Sequence, residues 1–205
     1  MEVAILLNTK PTEKIYGLTG NINVTTNNDN YRIITEYRFP GTTETFLNSP
    51  KSLASLKMVF LDESYLTKKS EDLSESEIKR IMLARALIEN KDYIILDYFE
   101  KGLNYKEKEN FKRLFRKLSQ EYHKTILILT NDITFLWDIA DEIINVDKNG
   151  VINNYSKEEY FNLSNIANKP EITKFINMMR ERNIKIADYK NVLDLLKAIY
   201  RLKGE

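Results

Sequence analysis

The sequence has no cysteine, a single histidine, one tryptophan, four prolines and six glycines in 205 residues. Without cysteine there is no disulfide, no thiol nucleophile and no thiolate metal site. The lone His123 stands in a polar turn before an apolar run, so no histidine cluster exists and no metal site is expected. No apolar run approaches the ~20 residues that a membrane span needs. The opening MEVAILLNTKP has neither the basic flank nor the apolar length of a signal peptide, which makes a cytoplasmic location the expectation. An excess of one charge is missing too: 31 basic and 30 acidic residues leave a net +1. That balance argues against a nucleic-acid partner, which selects a strongly basic domain. The length fits one main domain with a sizeable core and a small appendage.

What is present is concentrated between Leu73 and Asn104, which reads LSESEIKRIMLARALIENKDYIILDYFEKGLN. Ser74 followed by Glu77 is a capping-box pattern that marks a helix start. Ile78, Ile81, Met82, Arg85 and Ile88 recur at helical spacing, while Ala84 and Ala86 keep the helix slim enough for close packing. Tyr93 to Leu96 is a short all-apolar run, the pattern of a strand covered on both faces. Asp97 closes it and places a carboxylate at the C-terminal end of a central strand, where open α/β sheets put their ligands.

The order Leu-Ser, Lys79-Arg80, Ala-Arg-Ala-Leu, an apolar strand ending in Asp97, then Gly102-Leu103, resembles the signature-to-Walker-B block of ATP-binding cassette (ABC) ATPases. Several further stretches are similar to the energy-coupling-factor branch, the cobalt and vitamin importers. The resemblance covers roughly residues 31–200, with 1–30 a shortened remnant. It implies an α/β fold: a P-loop-NTPase-derived core with a parallel sheet, antiparallel edge strands, a shortened helical subdomain at about 42–72, and C-terminal helices. The implied division is a degenerate ATPase domain over 1–154 and a helical extension over 155–205.

Toward the N-terminus, Val3–Leu7 reads as a first strand. Gly17 and Gly20 followed by INVTT read as a turn into a strand, and Tyr31–Tyr37 as another. A phosphate loop, GxxxxGK[ST], needs glycines so that backbone N–H groups can wrap phosphate, and a lysine to reach its oxygens. Five residues after Gly17 stands Ile22 and five after Gly20 stands Thr25, and the best overlay puts Asn23 at the lysine position. An eroded phosphate loop and an ordinary β-turn both fit this stretch. Tyr37 to Gly41 resembles the Q-loop, with Arg38 at the glutamine position, either an anion ligand or a solvated arginine at a strand end. Phe46-Leu47 and Leu53–Leu61 suggest the helical subdomain, which in the family docks on a membrane subunit and here is equally well plain core.

Measured against the family, the signature LSGGQ is Leu73, Ser74, Glu75, Ser76 and Glu77. The two lost glycines let a helix N-terminus approach a phosphate closely, and Glu75 would oppose one by ~4 kcal/mol at ~4 Å and an effective dielectric of ~20. Asp97 keeps the Walker B position, but the catalytic glutamate after it is Tyr98. A phenol, with a reference pKa of about 10, is no general base near neutral pH. Glu100 stands two residues on, out of phase for a simple replacement. Asn104 takes the D-loop position and Asn131 the switch-histidine position. No catalytic residue is therefore assigned.

Phe111, Leu114, Phe115 and Leu118 stripe a helix over Tyr105–Tyr122. Thr125–Thr130 reads as a buried strand, Asp132–Ala140 as a helix with Trp137 inward, and Asp147–Gly150 as a hairpin turn. Ser156 and Glu159 form a second capping box. The tail from Pro170 resembles the family's C-terminal extension, so Phe175, Ile176, Met179, Leu193, Leu196 and Ile199 read as a dimerisation surface, with this chain or another ABC ATPase subunit as partner. Three roles fit. One is a non-catalytic partner of an ABC or energy-coupling-factor transporter, held at the inner face of the membrane through a membrane subunit. Another is a free-standing homodimeric interaction or regulatory module. The last is a divergent nucleotide-binding ATPase. No cofactor is expected in the first two, and ATP with magnesium only in the last.

Overall fold

The computed structural model describes residues 12–20, 22, 30–147, 149–163, 169–187, 189 and 192–202. The strand expected at Val3–Leu7 and most of INVTT lie outside them. Six strands form one sheet: β1 (Ile15–Gly20), β2 (Tyr31–Ile34), β3 (Tyr93–Asp97), β4 (Thr125–Leu129), β5 (Glu142–Val146) and β6 (Ile152–Ser156). Their order is β2-β3-β4-β1-β5-β6. Every pairing is parallel except the β5–β6 hairpin, so among the described residues a single antiparallel strand edges the sheet.

The helices are α1 (Thr43–Leu47), α2 (Ser52–Met58), α3 (Glu75–Ile88), α4 (Tyr105–Gln120), α5 (Ile133–Ile139), α6 (Lys157–Asn162), α7 (Glu171–Glu181) and α8 (Val192–Leu202). Each long connection in the middle of the chain carries helix, as parallel strands require. The sheet's alternating residues divide between two cores. Ile94, Leu96, Ile126 and Ile128 join the main one with α3, α4 and α5. Tyr93, Ile95, Leu127 and Leu18 form a smaller one on the other face. Burial on both faces explains why these strands read as continuous apolar runs.

Three expectations are corrected here. Gly17 sits inside β1 rather than in a turn: a Cβ there would stand 2.6 Å from Ile143 Cδ1 and 3.0 Å from Leu136 Cδ2, so a side chain at this position would have to push these two tips aside. The strand from Tyr31 ends at Ile34, short of Tyr37. Ile176 lies buried in the chain's own core, where α7 turns it inward with Ile172, and it is not on an outer dimerisation surface.

The topology also bears on the missing phosphate loop. β1 and β2 are parallel, two strands lie between them, and ten residues (21–30) join them. A whole crossover between parallel strands ordinarily takes at least ~10–12 residues including its helix. An eight-residue GxxxxGK[ST] loop would leave two of the ten for everything else.

Candidate functional site

Asp97 is where the strand pattern puts it, at the C-terminal end of β3 and half-buried. It lines a cleft of about 440 Å³ with Thr35, Glu36, Lys79, Tyr98 and Lys101. Three segments build this cleft: the loop after β2, the first turns of α3, and the loop after β3. Ser74 caps α3 through the Glu77 N–H, and Glu77 returns a carboxylate to the Ser74 N–H, which fixes where the helix begins. That start sets Lys79 on the face turned toward β3.

Lys79 is the group that the sequence did not advertise. Its side chain is 1% exposed, yet it is a lysine on the first turns of a helix. Its ammonium donates to the Tyr98 carbonyl at 2.9 Å and pairs with Glu36 Oε1 at 3.0 Å. A buried ammonium is tolerated only when it is paired and hydrogen-bonded, as here. Burial pushes the Asp97 carboxyl above the ordinary aspartate value. Lys79, then Lys101, pull it back, and Glu36 adds to the rise. The oxygen atoms gathered here, two carboxylates, a hydroxyl and a carbonyl, are of the hard type that holds magnesium. A cation already stands among them, the Lys79 ammonium on the Tyr98 carbonyl and Glu36. At ~5 Å and an effective dielectric of ~20 a dication and an ammonium repel by about 7 kcal/mol. Among the described residues no group of three His, Cys, Asp or Glu side chains is placed to hold a metal.

Tyr98 occupies a left-handed backbone conformation, φ 46°, held by its N–H donating to the Leu129 carbonyl at 2.9 Å. The Lys101 ammonium lies 4.1 Å from the centre of its ring. Arg38 does not enter the cleft. It is exposed and donates to the Ser70 carbonyl at 2.6 Å, while Ser70 Oγ donates to the Phe39 carbonyl at 2.8 Å. These bonds fasten the segment after β2 to the helical turns of 42–72, and Glu36 rather than Arg38 faces Asp97.

The signature residues are occupied structurally. Leu73 is buried, Glu75 is exposed, and Ser76 lies against Gly102, whose added Cβ would be 3.5 Å from the Ser76 Cβ. Glu77 accepts from Tyr65 Oη at 2.5 Å as well as from Ser74. Burial alone would raise Glu77, but these bonds outweigh it and hold its pKa low. The same Glu77 bond, with burial, pushes the Tyr65 phenol up to about 12. Asn104 caps α4 in a capping box with Glu107, and Asn131 is exposed. His123 is exposed in a turn with φ 55°, beside Glu13. Glu100, out of phase to replace the catalytic glutamate, is instead buried away from the cleft's lining. It is 5% exposed, Thr130 Oγ1 donates to its Oε1 at 2.5 Å, and its Oε2 is buried without a partner.

A wider groove of about 870 Å³ lies away from these residues, between α4, α5 and the starts of α7 and α8. Two of its cationic side chains are engaged, Lys112 with Asp138 at 2.5 Å and Arg116 with Asp141 at 2.6 Å. On α8, Leu193 is 70% exposed and Tyr200 73%, with Leu196 exposed between them, which makes an apolar stripe at helical spacing.

No family model matches the chain. It is 33% identical over 117 residues to the energy-coupling factor transporter ATP-binding protein EcfA2 of Mycoplasma capricolum, covering 57% of this chain and 40% of that protein. It is 28% identical over 138 residues to EcfA2 of Spiroplasma kunkelii, covering 65% and 45%. The EcfA3 protein of Oenococcus oeni is 29% identical over 155 residues, covering 73% and 54%. The chain thus spans about half the length, or less, of these relatives. Among solved structures, the dimeric post-hydrolysis state of the ATP-binding cassette MJ0796 with ADP and Pi, from Methanocaldococcus jannaschii, superimposes with a TM-score of 0.60 at 21% identity, over 74% of this chain and 88% of that one. The cbiO1 protein of Clostridium perfringens, part of the ABC transporter complex cbiONQ, gives 0.59 at 16% identity, over 83% and 85%. The chain is similar to ABC ATPases of the energy-coupling-factor type, and its fold is their α/β, P-loop-NTPase core.

Proposed function

We propose that this relative of the energy-coupling-factor ATPases has lost ATP hydrolysis and acts as a non-catalytic subunit or partner of an ABC transporter of that type. The observation that carries the reading is the loop after β3. Where a general base would follow Asp97, Tyr98 presents its carbonyl to a buried lysine, and its ring stacks against a second one. The absence of any GxxxxGK[ST] pattern from the sequence supports the same reading, as does the ten-residue span between β1 and β2. Removing one preorganised catalytic element ordinarily costs about 10²–10³ in rate, and here the phosphate loop, the base and the switch histidine are all replaced. The residues present do not fit a magnesium–ATP group.

In this reading residues 1–154 form the ATPase-like domain and 155–205 the helical extension. The protein is cytoplasmic and reaches the membrane only through a partner. Among the described residues no helix is long and apolar enough to cross a membrane, which is consistent with that placement. The exposed stripe of Leu193, Leu196 and Tyr200 favours dimerisation through α8, with itself or with a competent ABC ATPase. It also supports the alternative of a free-standing homodimeric module. Calorimetric titration with ATP and ADP in magnesium, followed by a phosphate-release assay, tests the function. No heat and no release are expected at millimolar nucleotide. Micromolar binding or turnover would establish a divergent ATPase instead. Recovery of a second ABC ATPase or a membrane subunit with the chain would separate the transporter role from the free-standing one.

A further inference from the structure

We propose that the Lys79 ammonium is a built-in cation standing where an oxygen-ligated divalent ion would sit, and that removing its charge turns the Asp97 cleft into a divalent-cation site. The inference deepens the non-hydrolysing reading and rests on it. Its basis is the two oxygens bonded to Nζ and the further oxygens that line the cleft beside it. The Tyr98 carbonyl at 2.9 Å and Glu36 Oε1 at 3.0 Å are hydrogen-bonded to the ammonium, and Asp97 and Thr35 line the same cleft. Carboxylates, a backbone carbonyl and a hydroxyl are the donors that calcium, magnesium and manganese take, completed by water. A lysine side chain 1% exposed is not a solvated surface charge. It is positioned by α3, whose start the Ser74–Glu77 capping box fixes, and its charge is met by the cleft alone. Burial without such partners would be prohibitive. Lys101 contributes a second positive charge at the mouth, but it is exposed and lies over the Tyr98 ring, so it can move aside.

The neutral replacements Lys79→Met, which keeps the length, and Lys79→Gln, which keeps a donor for the Tyr98 carbonyl, test the proposal with Mn2+ as the probe and no nucleotide present. The wild-type chain is expected to show no saturable Mn2+ binding by calorimetry and no Mn2+-dependent rise in Tm. Each variant is expected to bind Mn2+ at least roughly tenfold more tightly than wild type, the equivalent of one pK unit of interaction. Its Tm should rise with Mn2+, and adding Asp97→Asn should abolish both effects. Folded Lys79 variants that bind Mn2+ no better than wild type would overturn the proposal. Should neither variant fold, the wild-type chain decides alone: equal Tm in Mn2+ and in EDTA supports it, and a Mn2+-dependent rise lost in Asp97→Asn refutes it. ATP turnover by the wild-type chain would defeat the non-hydrolysing reading while these titrations judged Lys79 separately.

Discussion

Glu100 and Thr130 show how much a single hydrogen bond can matter when one of its partners is a buried carboxylate. The Thr130 hydroxyl donates to Glu100 and accepts from the Asp132 N–H, and the other Glu100 oxygen already has no partner. Thr130→Val should therefore cost about 1–3 kcal/mol, the penalty of an orphaned buried group. Most of that loss should be recovered in Glu100→Leu/Thr130→Val, where no carboxylate remains to be satisfied. Urea midpoints of the two variants give both numbers, and a neutral Thr130→Val would remove the bond from any account of stability. At Gly20 the constraint is steric. Its φ is +94°, and a Cβ would stand 2.0 Å from the Val146 carbonyl oxygen. Gly20→Ala should lower stability by about 1–3 kcal/mol, read from the same denaturation curves.

At the scale of elements, α3 depends on its first turn. Ser74→Ala should cost about 1 kcal/mol. Glu77→Ala should cost more, because Glu77 serves the Ser74 N–H and the Tyr65 hydroxyl together. If thermal unfolding shows the two substitutions equal, the bond to Tyr65 contributes nothing. On α8, Leu193→Glu with Leu196→Glu should leave the fold intact and shift any dimer to monomer in sedimentation. An unchanged dimer would place the interface elsewhere. Local patterns were the legible part of the sequence. The capping boxes at Ser74 and Ser156, the apolar strand ending at Asp97 and the inward Trp137 each follow from neighbours a few residues apart, and the structure has them all; the third box, Asn104 with Glu107, emerged only from the structure. Lys79 and Glu36 were not legible, because their pairing joins residues 43 apart (79 − 36) through a helix and a loop. Gly17 was misread for the same reason: its small size answers to Ile143 and Leu136, across the sheet and on another helix.

At the scale of the whole molecule, acid should be the sensitive direction. Burial would raise Glu89, Glu107, Asp132 and Glu142, but hydrogen bonds and cations hold each below its ordinary value, from Arg32 and Arg85, from the Asn104 N–H and Arg80, from Lys108 and from Lys14 respectively. A depressed folded pKa contributes stability above the unfolded value that is lost as pH falls through the folded one. The reference values are 4.5 for the glutamates and 3.8 for Asp132. Stability should thus be flat from neutral pH to about 5 and fall below 4.5, as a Tm series in pH would show. Asp97 runs the other way. Its folded pKa is raised, so its ionisation opposes folding at neutral pH and ceases to do so on acidification. Asp97→Asn should accordingly raise Tm at neutral pH, and a lower Tm would mean that the Lys79 attraction outweighs burial.

The position of β1 also dictates an order of events during synthesis. It is the first described strand to be made, yet its sheet partners are β4 and β5, with Ile15 beside Ile126 and Gly20 beside Val146. β2, β3 and β4 can pair with one another as they leave the ribosome, but the gap beside β4 can be sealed only by a segment made long before. At ~5–20 residues per second, the interval between Gly20 and Val146 is ~6–25 seconds. For most of it β1 is an unpaired strand, and once β4 is made its free edge is an open template until β1 docks, the combination that invites pairing between chains.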